Sequence, residues 1–509
     1  MTLGRLLLLV LLLPTLASAA ELQDDDAFAS VSALHARLKN GVTPAMLTDL
    51  YLRRIDGIDP ALHSVIEVNP DARAIALATK PGTGLLSGLP ILIKDNIDTH
   101  DRMLTTAGSF ALAGQPAEDD AYVAEKLRRA GAVILGKTNL SEWANFRSSH
   151  STSGWSARGG QTHNPYVLDR DPCGSSSGSA VAVAAGLAVA AIGTETDGSI
   201  LCPAAANGIV GLKPTLGLVS RAGIVPISHN QDTAGPLARS VADAAALLTV
   251  IAGRDPRDPA TAEADSHATD YSRFLDPDGL KGKRIGVVRA MMGREPNADR
   301  AVEAAIAVMK AHGAVIVDPV ELPHLKELSE PEGIVLQYDF KQDIAAYLAT
   351  RPGAPKSLAE LIAFDKRDAR EMSWFGQDTF EDSEARGPVT DAAYIEAQAK
   401  AKRLAGPEGI DAALAANHLD ALLSPSTAPA CVIDPVLGDH FFGGTSRPAA
   451  VAGYPSITVP SGYAHELPLG ITLYGAKWSE PTLIAIAYSY ERFAPPRHAP
   501  KYLPTVPTP

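Results

Sequence analysis

The chain has 509 residues, 46% of them apolar and 20% charged, so it can bury an ample core and disorder is excluded for most of its length. Its 45 basic and 58 acidic residues give a net charge of −13, which argues against nucleic acid or an anionic membrane surface as partner, since both demand a basic face. Three cysteines cannot make a multi-disulfide framework, and at about 150 residues per domain the length suggests roughly three domains.

The first predicted segment is a targeting signal. Met1 to Arg5 carries one positive charge, Leu6 to Leu13 is unbroken apolar sequence, and Ala17-Ser18-Ala19 supplies the small residues of a cleavage site. The apolar run is too short to span a bilayer, so residues 1–19 read as a secretory signal peptide, cleaved after Ala19 or Ala20. The mature chain is expected in the periplasm or outside the cell, clear of the membrane, and one unit more negative because Arg5 is lost.

Helix and strand patterns then alternate. Leu89 to Lys94 is an apolar strand ending in a lysine. Asp119-Asp120 caps a predicted helix over 121–130, stopped by Gly131, and a short buried strand follows at 132–135. Ala180 to Gly193 is a fourteen-residue run dominated by Ala and Gly, suited to an element packed on all sides. Ser240 and Asp243 form a capping-box-like pair ahead of a helix through Ala252. Strand (284–288), helix (298–311) and strand (314–317) make a βαβ unit. The stretch 320–403 is polar and helical without clear strands, and reads as an insertion capping one face. Strand patterns return at 421–423 and 455–459. Pro495 to Pro509 holds six prolines, an extended or disordered surface tail. The alternation predicts an α/β protein with a largely parallel or mixed sheet.

Two motif matches fail on their context. Gly131 to Thr138 fits the phosphate-loop pattern, but its four middle residues, Ala-Val-Ile-Leu, are themselves the strand, so their amides belong to a sheet ladder. Gly174-Ser175-Ser176-Ser177-Gly178 fits the nucleophile elbow and would make Ser176 the nucleophile. The residues before it contain two prolines and read as loop, and none of the thirteen histidines is marked out as its base. Ser-x-x-Lys, required of penicillin-interacting hydrolases, is absent. So are clustered His or Cys with zinc spacing, and neither metal nor cofactor is predicted.

The informative stretch is Cys173 to Pro203, where serine-bearing glycine turns at 174–179 and 194–199 bracket the small-residue run. Such turns leave backbone N–H groups aimed at one spot, as an oxyanion requires. Lys94, at the end of a buried strand, should have a lowered pKa and can act as a base while neutral. Taken singly, the lysine could turn to solvent and the turns could be plain turns. Together with Gly88 to Asn96, Ala205 to Pro214, Ser228 to Ala242 and Gly453 to Pro460, they resemble the amidase signature family over most of the mature chain.

That resemblance implies one α/β domain over residues 20–509, with a mixed, twisted central sheet covered by helices on both faces and a helical cap. It also implies a Ser-Ser-Lys triad: Ser199 as nucleophile, Ser175 as bridge, often with a cis peptide bond, and Lys94 as base. Ser175 and Ser199 are 24 residues apart, as in the family pattern. The N–H groups of Thr196, Asp197, Gly198 and Ser199 would face the oxyanion. Ser176 is expected to support the site through a hydrogen bond, with a solvated turn serine as its plain alternative. Arg147 lies where the family places a substrate-side loop and is a candidate contact for peptide carbonyls, with a surface arginine as the alternative.

Three departures from the commonest pattern stand out: Asp197 for glycine, Leu201 for arginine, and Ser177 for glycine. Asp197 would either disturb the oxyanion turn or adopt the left-handed conformation. With Cys173 and Cys202, which could bridge or stay as buried thiols beside a leftover Cys431, these changes are similar to the peptide amidase branch, which removes C-terminal amides from peptides. The expectation is a monomeric, exported serine amidase acting on a short peptide or small-molecule amide. The alternatives are an amidase of aryl, aliphatic or fatty acid amides, or a non-catalytic periplasmic binding protein on the same fold. A role in RNA-linked transamidation fits neither the signal segment nor the acidic charge.

Overall fold

The computed structural model describes residues 22–82, 84–440 and 444–507, so the predicted signal segment lies outside the described residues. Thirteen strands occur among them. In chain order they are β1 (Val65–Val68), β2 (Pro90–Lys94), β3 (Val133–Thr138), β4 (Trp155–Ser156), β5 (Gly160–Gln161), β6 (Ala190–Glu195) and β7 (Val210–Lys213). After these come β8 (Thr233–Ala238), β9 (Arg284–Val287), β10 (Val315–Val317), β11 (Ala421–Pro425), β12 (Ser456–Ala464) and β13 (Leu467–Tyr474).

Eleven strands form one sheet in the order β1-β3-β2-β6-β8-β7-β12-β13-β11-β9-β10, and β4 and β5 make a separate ribbon. Pairing is parallel for β2 with β3 and with β6, and for β9 with β10 and with β11. The middle of the sheet, from β6 through β8, β7, β12 and β13 to β11, is antiparallel. The chain is therefore a single large α/β domain with a mixed sheet flanked by helices, and the three domains suggested by length are not separate cores.

The small-residue run resolves into two elements. Ser177–Ala184 is a helix with every residue buried, and Ala190–Glu195 is strand β6, also fully buried. Ala, Gly and Ser let this helix lie directly against the sheet: a Cβ built on Gly178 would sit 2.2 Å from the Ser64 carbonyl oxygen and 2.6 Å from that of Asn139. The βαβ unit is present as β9, the helix Pro296–Ala311 and β10, with Glu295 capping the helix through the Ala298 N–H.

Capping differs from expectation at two helices. Ser240 does accept from the Asp243 N–H, but the Asp243 carboxylate reaches the Val31 N–H instead of closing a box. Ala121 stands at the N-cap of helix Tyr122–Arg129, while Asp120 accepts from the His100 N–H and pairs with Arg128. Aspartate is a good cap only when its oxygen is not drawn elsewhere, and the Arg128 guanidinium draws it here.

Among the described residues no strand lies between Val317 and Ala421, and helices Ser329–Ala349, Leu358–Asp365, Asp378–Glu384 and Ala392–Ala405 occupy that stretch. Phe340, Ile344, Leu348, Leu361 and Phe380 form an apolar cluster with Leu112, Trp143, Val225 and Ile227. The first three of these helices are thereby fastened to loops that leave the sheet beside Lys94, and Tyr394 and Ala397 of the fourth pack on Val335 and Tyr338. At the C-terminus, residues 495–507 run extended but tied down: the Leu168 N–H donates to the Leu503 carbonyl and the Tyr502 N–H to that of Pro165. No helix among the described residues is long and apolar enough to cross a membrane.

Candidate active site

Adjacent strands β2 and β6 deliver the lysine and the Ser199 turn to the same edge of the sheet. Lys94 is the last residue of β2 and is fully buried. Its Nζ lies 2.8 Å from Ser175 Oγ and 2.8 Å from Thr194 Oγ1. Burial drives the amine down from 10.5 to about 7, against the opposing pull of Asp232 and Glu195. An amine poised there can take a proton at neutral pH.

Ser175 follows a cis peptide bond from Gly174 and is fully buried. The next residue joins the two serine turns: the Ser176 N–H donates to the Ser199 carbonyl at 3.1 Å. A disulfide between Cys173 and Cys202, with Cα atoms 5.9 Å apart, ties the chain before Ser175 to the helix Leu201–Ala206 after Ser199. Of the two alternatives left open for these cysteines, the bridge is the one observed, and Cys431 is the free thiol.

Beyond β6 the chain turns sharply through Asp197, Gly198 and Ser199. Gly198 has φ +83°, and a Cβ there would meet Ser446 Oγ at 2.8 Å, so the turn needs glycine. Asp197 does not adopt the left-handed conformation, and its carboxylate accepts from Ser446 Oγ at 2.5 Å. The N–H groups of Asp197, Gly198 and Ser199 have no acceptor among the described residues. The following two, on Ile200 and Leu201, are both taken by Glu195 Oε2, at 2.7 and 3.0 Å. Glu195 thus caps the helix behind Ser199 and frees the turn ahead of it. Ser199 and this turn line a cavity of about 1130 Å³, together with Gly174, Leu336 and Arg447.

Neither Ser176 nor Arg147 lines this cavity. Ser176 is fully buried and locks β6, its Oγ donating to the Thr194 carbonyl and accepting the Thr194 N–H. Arg147 is 3% exposed. Its guanidinium is 2.9 Å from Glu142, donates to the Glu371 and Phe375 carbonyls, and stacks on Trp155. It is neither a surface residue nor a group free to meet substrate, because buried carboxylates and carbonyls occupy its donors.

The structure adds residues to which the sequence assigned no role. Thr194 Oγ1 accepts from both Lys94 and Asn96. Asp232 receives Thr196 Oγ1 and the N–H groups of Ile227 and Ser228, with burial pushing its carboxyl up to about 6. From the helix Ser329–Ala349, Glu332 pairs with Arg447 and accepts from Gln231, whose amide also donates to the Thr196 carbonyl. Gln231-Asp232 stood inside a recognised block, yet nothing in their spacing marked their partners. The group of Asp171, Cys431 and Asp439 brings three ligand atoms within 4.8 Å of one another. Its oxygens already hold the Cys173 N–H, the Cys431 thiol and Ser153, which makes it a hydrogen-bonded knot.

Comparison with known proteins follows the same lines. The amidase family model matches residues 46–484. A probable amidase of Arabidopsis thaliana is 41% identical over 480 residues, covering 91% of this chain and 89% of that protein. The structure of native peptide amidase from Stenotrophomonas maltophilia is 51% identical with a TM-score of 0.89, covering 94% of this chain and all of that one. A structure of the peptide amidase with the competitive inhibitor chymostatin is 52% identical, with a TM-score of 0.90 over 93% of this chain and 99% of that one. An amidase family protein from Bacillus anthracis is more distant, at 35% identity and a TM-score of 0.85 over 94% of this chain and 93% of that one.

Proposed function

The chain belongs to the amidase signature family and is an amide-hydrolysing enzyme, and from that premise we propose that it removes the C-terminal amide of peptides through a Ser199–Ser175–Lys94 triad. The observation that carries the mechanism is the buried contact of Lys94 Nζ with Ser175 Oγ at 2.8 Å, behind a turn that presents Ser199 to the cavity. Neutral Lys94 accepts the Ser175 hydroxyl proton, and Ser175 accepts that of Ser199. The Ser199 Oγ adds to the amide carbonyl, and the free N–H groups of the turn receive the oxyanion. The proton returns to the nitrogen, the C–N bond breaks, and ammonia leaves an ester on Ser199. Water, deprotonated along the same relay, then splits the ester and releases the peptide as a free acid. Similarity to peptide amidases at 51–52% identity supports the substrate class. The apolar run and small-residue site at residues 1–19 support action outside the cytoplasm.

The test is ammonia release from a panel of peptide amides, free Asn and Gln peptides, aryl amides and lipid amides, with products weighed by mass spectrometry. Peptide amides should yield the peptide acid and ammonia, and Ser199→Ala should abolish this. Turnover confined to aryl or lipid amides would overturn the substrate class. Full activity of Ser199→Ala with loss in Ser176→Ala would move the nucleophile to Ser176.

A further inference from the structure

A second cavity of about 570 Å³ adjoins the one above Ser199, within the range of ligand sites, roughly 300–1,000 Å³. The two share Arg294, Gly444 and Arg447, which places these residues at their junction. At that junction the two arginines differ. Arg447 is held by Glu332 and stands 3.7 Å from Asp197. Arg294 is exposed and has no ion-pair or hydrogen-bond partner among the described residues.

The charges of the second cavity sort the same way. Glu295 accepts from Asn297 and the Ala298 N–H, Asp299 accepts the Gly293 N–H, and His324 pairs with Glu327. These groups close their own helix ends and turns. Lys326 and Glu321 also line the cavity and have no such partner among the described residues. The lining carries Arg294, Lys326 and Arg447 against Glu295, Asp299, Glu321 and Glu327, and Arg294 is the cation without a partner among the described residues that lines both cavities.

We propose that this second cavity is a subsite for the residues of a peptide amide upstream of the one bearing the scissile amide, and that Arg294 takes an acidic side chain there. The inference rests on the peptide amidase reading and deepens it: the substrates favoured are peptide amides longer than dipeptides that carry Asp or Glu before the terminal residues. A peptide threading from Ser199 past Arg294 replaces water around an unpaired guanidinium with a carboxylate, a gain of the size of a partly exposed ion pair.

The experiment measures kcat/KM for alanine-based peptide amides of two to six residues, each with and without one Glu at successive upstream positions. Wild-type enzyme should gain severalfold between the dipeptide and the tetrapeptide or pentapeptide amide. One Glu position should add about a further threefold, falling as salt rises. In Arg294→Glu the ratio for the Glu-bearing over the all-alanine peptide should drop to one or below, and Arg294→Lys should restore most of it. Hydrolysis of dipeptide amides with no gain from length or charge would overturn this inference while leaving the function reading intact. No turnover of any peptide amide would sink both. An unchanged ratio in Arg294→Glu would remove Arg294 from the subsite.

Discussion

Replacing Lys94 by methionine should make the protein inactive and more stable at neutral pH, and the stability difference should change sign with pH. Burial holds the amine near pH 7 in the folded chain against an ordinary 10.5. At about 1.36 kcal/mol per unit of pKa, this burial costs on the order of 4–5 kcal/mol. The unfolded chain binds more protons between pH 7 and 10.5. The cost is therefore full below the folded pKa and fades as pH rises to the unfolded one. Methionine, of similar length and apolar, escapes it. In exchange Ser175 Oγ loses its lysine partner and Thr194 Oγ1 keeps only Asn96, a loss of roughly 1–3 kcal/mol. Lys94→Met should thus be about 1–3 kcal/mol more stable than wild type at pH 6–7, equal to it around pH 8–9, and less stable by pH 10. Removal of the base should cut kcat by about 10²–10⁴. Thermal unfolding of both proteins at pH 6.5, 8 and 10, with turnover of a peptide amide at pH 8, measures the two effects. A Tm offset constant across that range would refute the neutral-lysine argument, as would an active variant.

Other parts of the site make independent predictions. Turnover by wild-type enzyme should rise with pH through about 7, where Lys94 loses its proton, and a rate flat from pH 5 to 9 would exclude it as base. Breaking the Cys173–Cys202 bridge, which closes a sequence separation of 29, should cost about 3–4 kcal/mol by chain entropy and lower kcat as the two serine turns loosen. Unfolding and turnover of Cys173→Ser with and without reductant test this. Arg147→Ala should cost about 3–5 kcal/mol by stranding Glu142 and Glu371, seen as a large drop in Tm. An unchanged Tm with a raised KM would return Arg147 to substrate binding. Gly198→Ala should lose about 10²–10³ in kcat with the fold retained by circular dichroism, because its Cβ forces apart Ser446 and the oxyanion turn.

What the sequence made legible were features whose cause is local. Ser240 caps its helix through the Asp243 N–H, three residues on, and the 284–317 stretch alternates within itself, so periodicity and capping sufficed. Ser175 and Ser199 lie in one signature stretch and Lys94 ends an apolar strand, so a dense motif match singled out all three as candidates. Failures occurred where the deciding partner is remote. Arg147 sits among polar residues as a surface arginine would, and two of the groups that enclose it, the carbonyls of Glu371 and Phe375, lie more than 220 positions away. The reach of Glu332 to Arg447 across the cap has the same character. Asp197 stood out as an obstacle to the oxyanion turn; Ser446 turns it into an anchor, a contact 249 residues distant.

Among the described residues three lysines are fully buried on strands of one sheet, and their partners set Lys94 apart. Burial lowers the Lys137 amine as well, against the pull of Asp95 and Asp98, and it donates to the Ile97 carbonyl and Thr105 Oγ1. Burial lowers the Lys213 amine too, against Glu195 and Glu480, and it donates to the carbonyls of Tyr454 and Pro214. A carbonyl only accepts, so it rewards an amine that keeps its protons. The strong contacts of Lys94, at 2.8 Å, are both hydroxyls, and its other acceptor, the Thr194 carbonyl, stands off at 3.4 Å. A hydroxyl can donate as readily as it accepts, so a neutral amine loses nothing there and has a proton within reach. A strand-end lysine in sequence is thus no sign of a base by itself. Partner chemistry decides, and Ser175, joined through the Ser176 N–H to the turn bearing Ser199, gives Lys94 the partner that the other two lack.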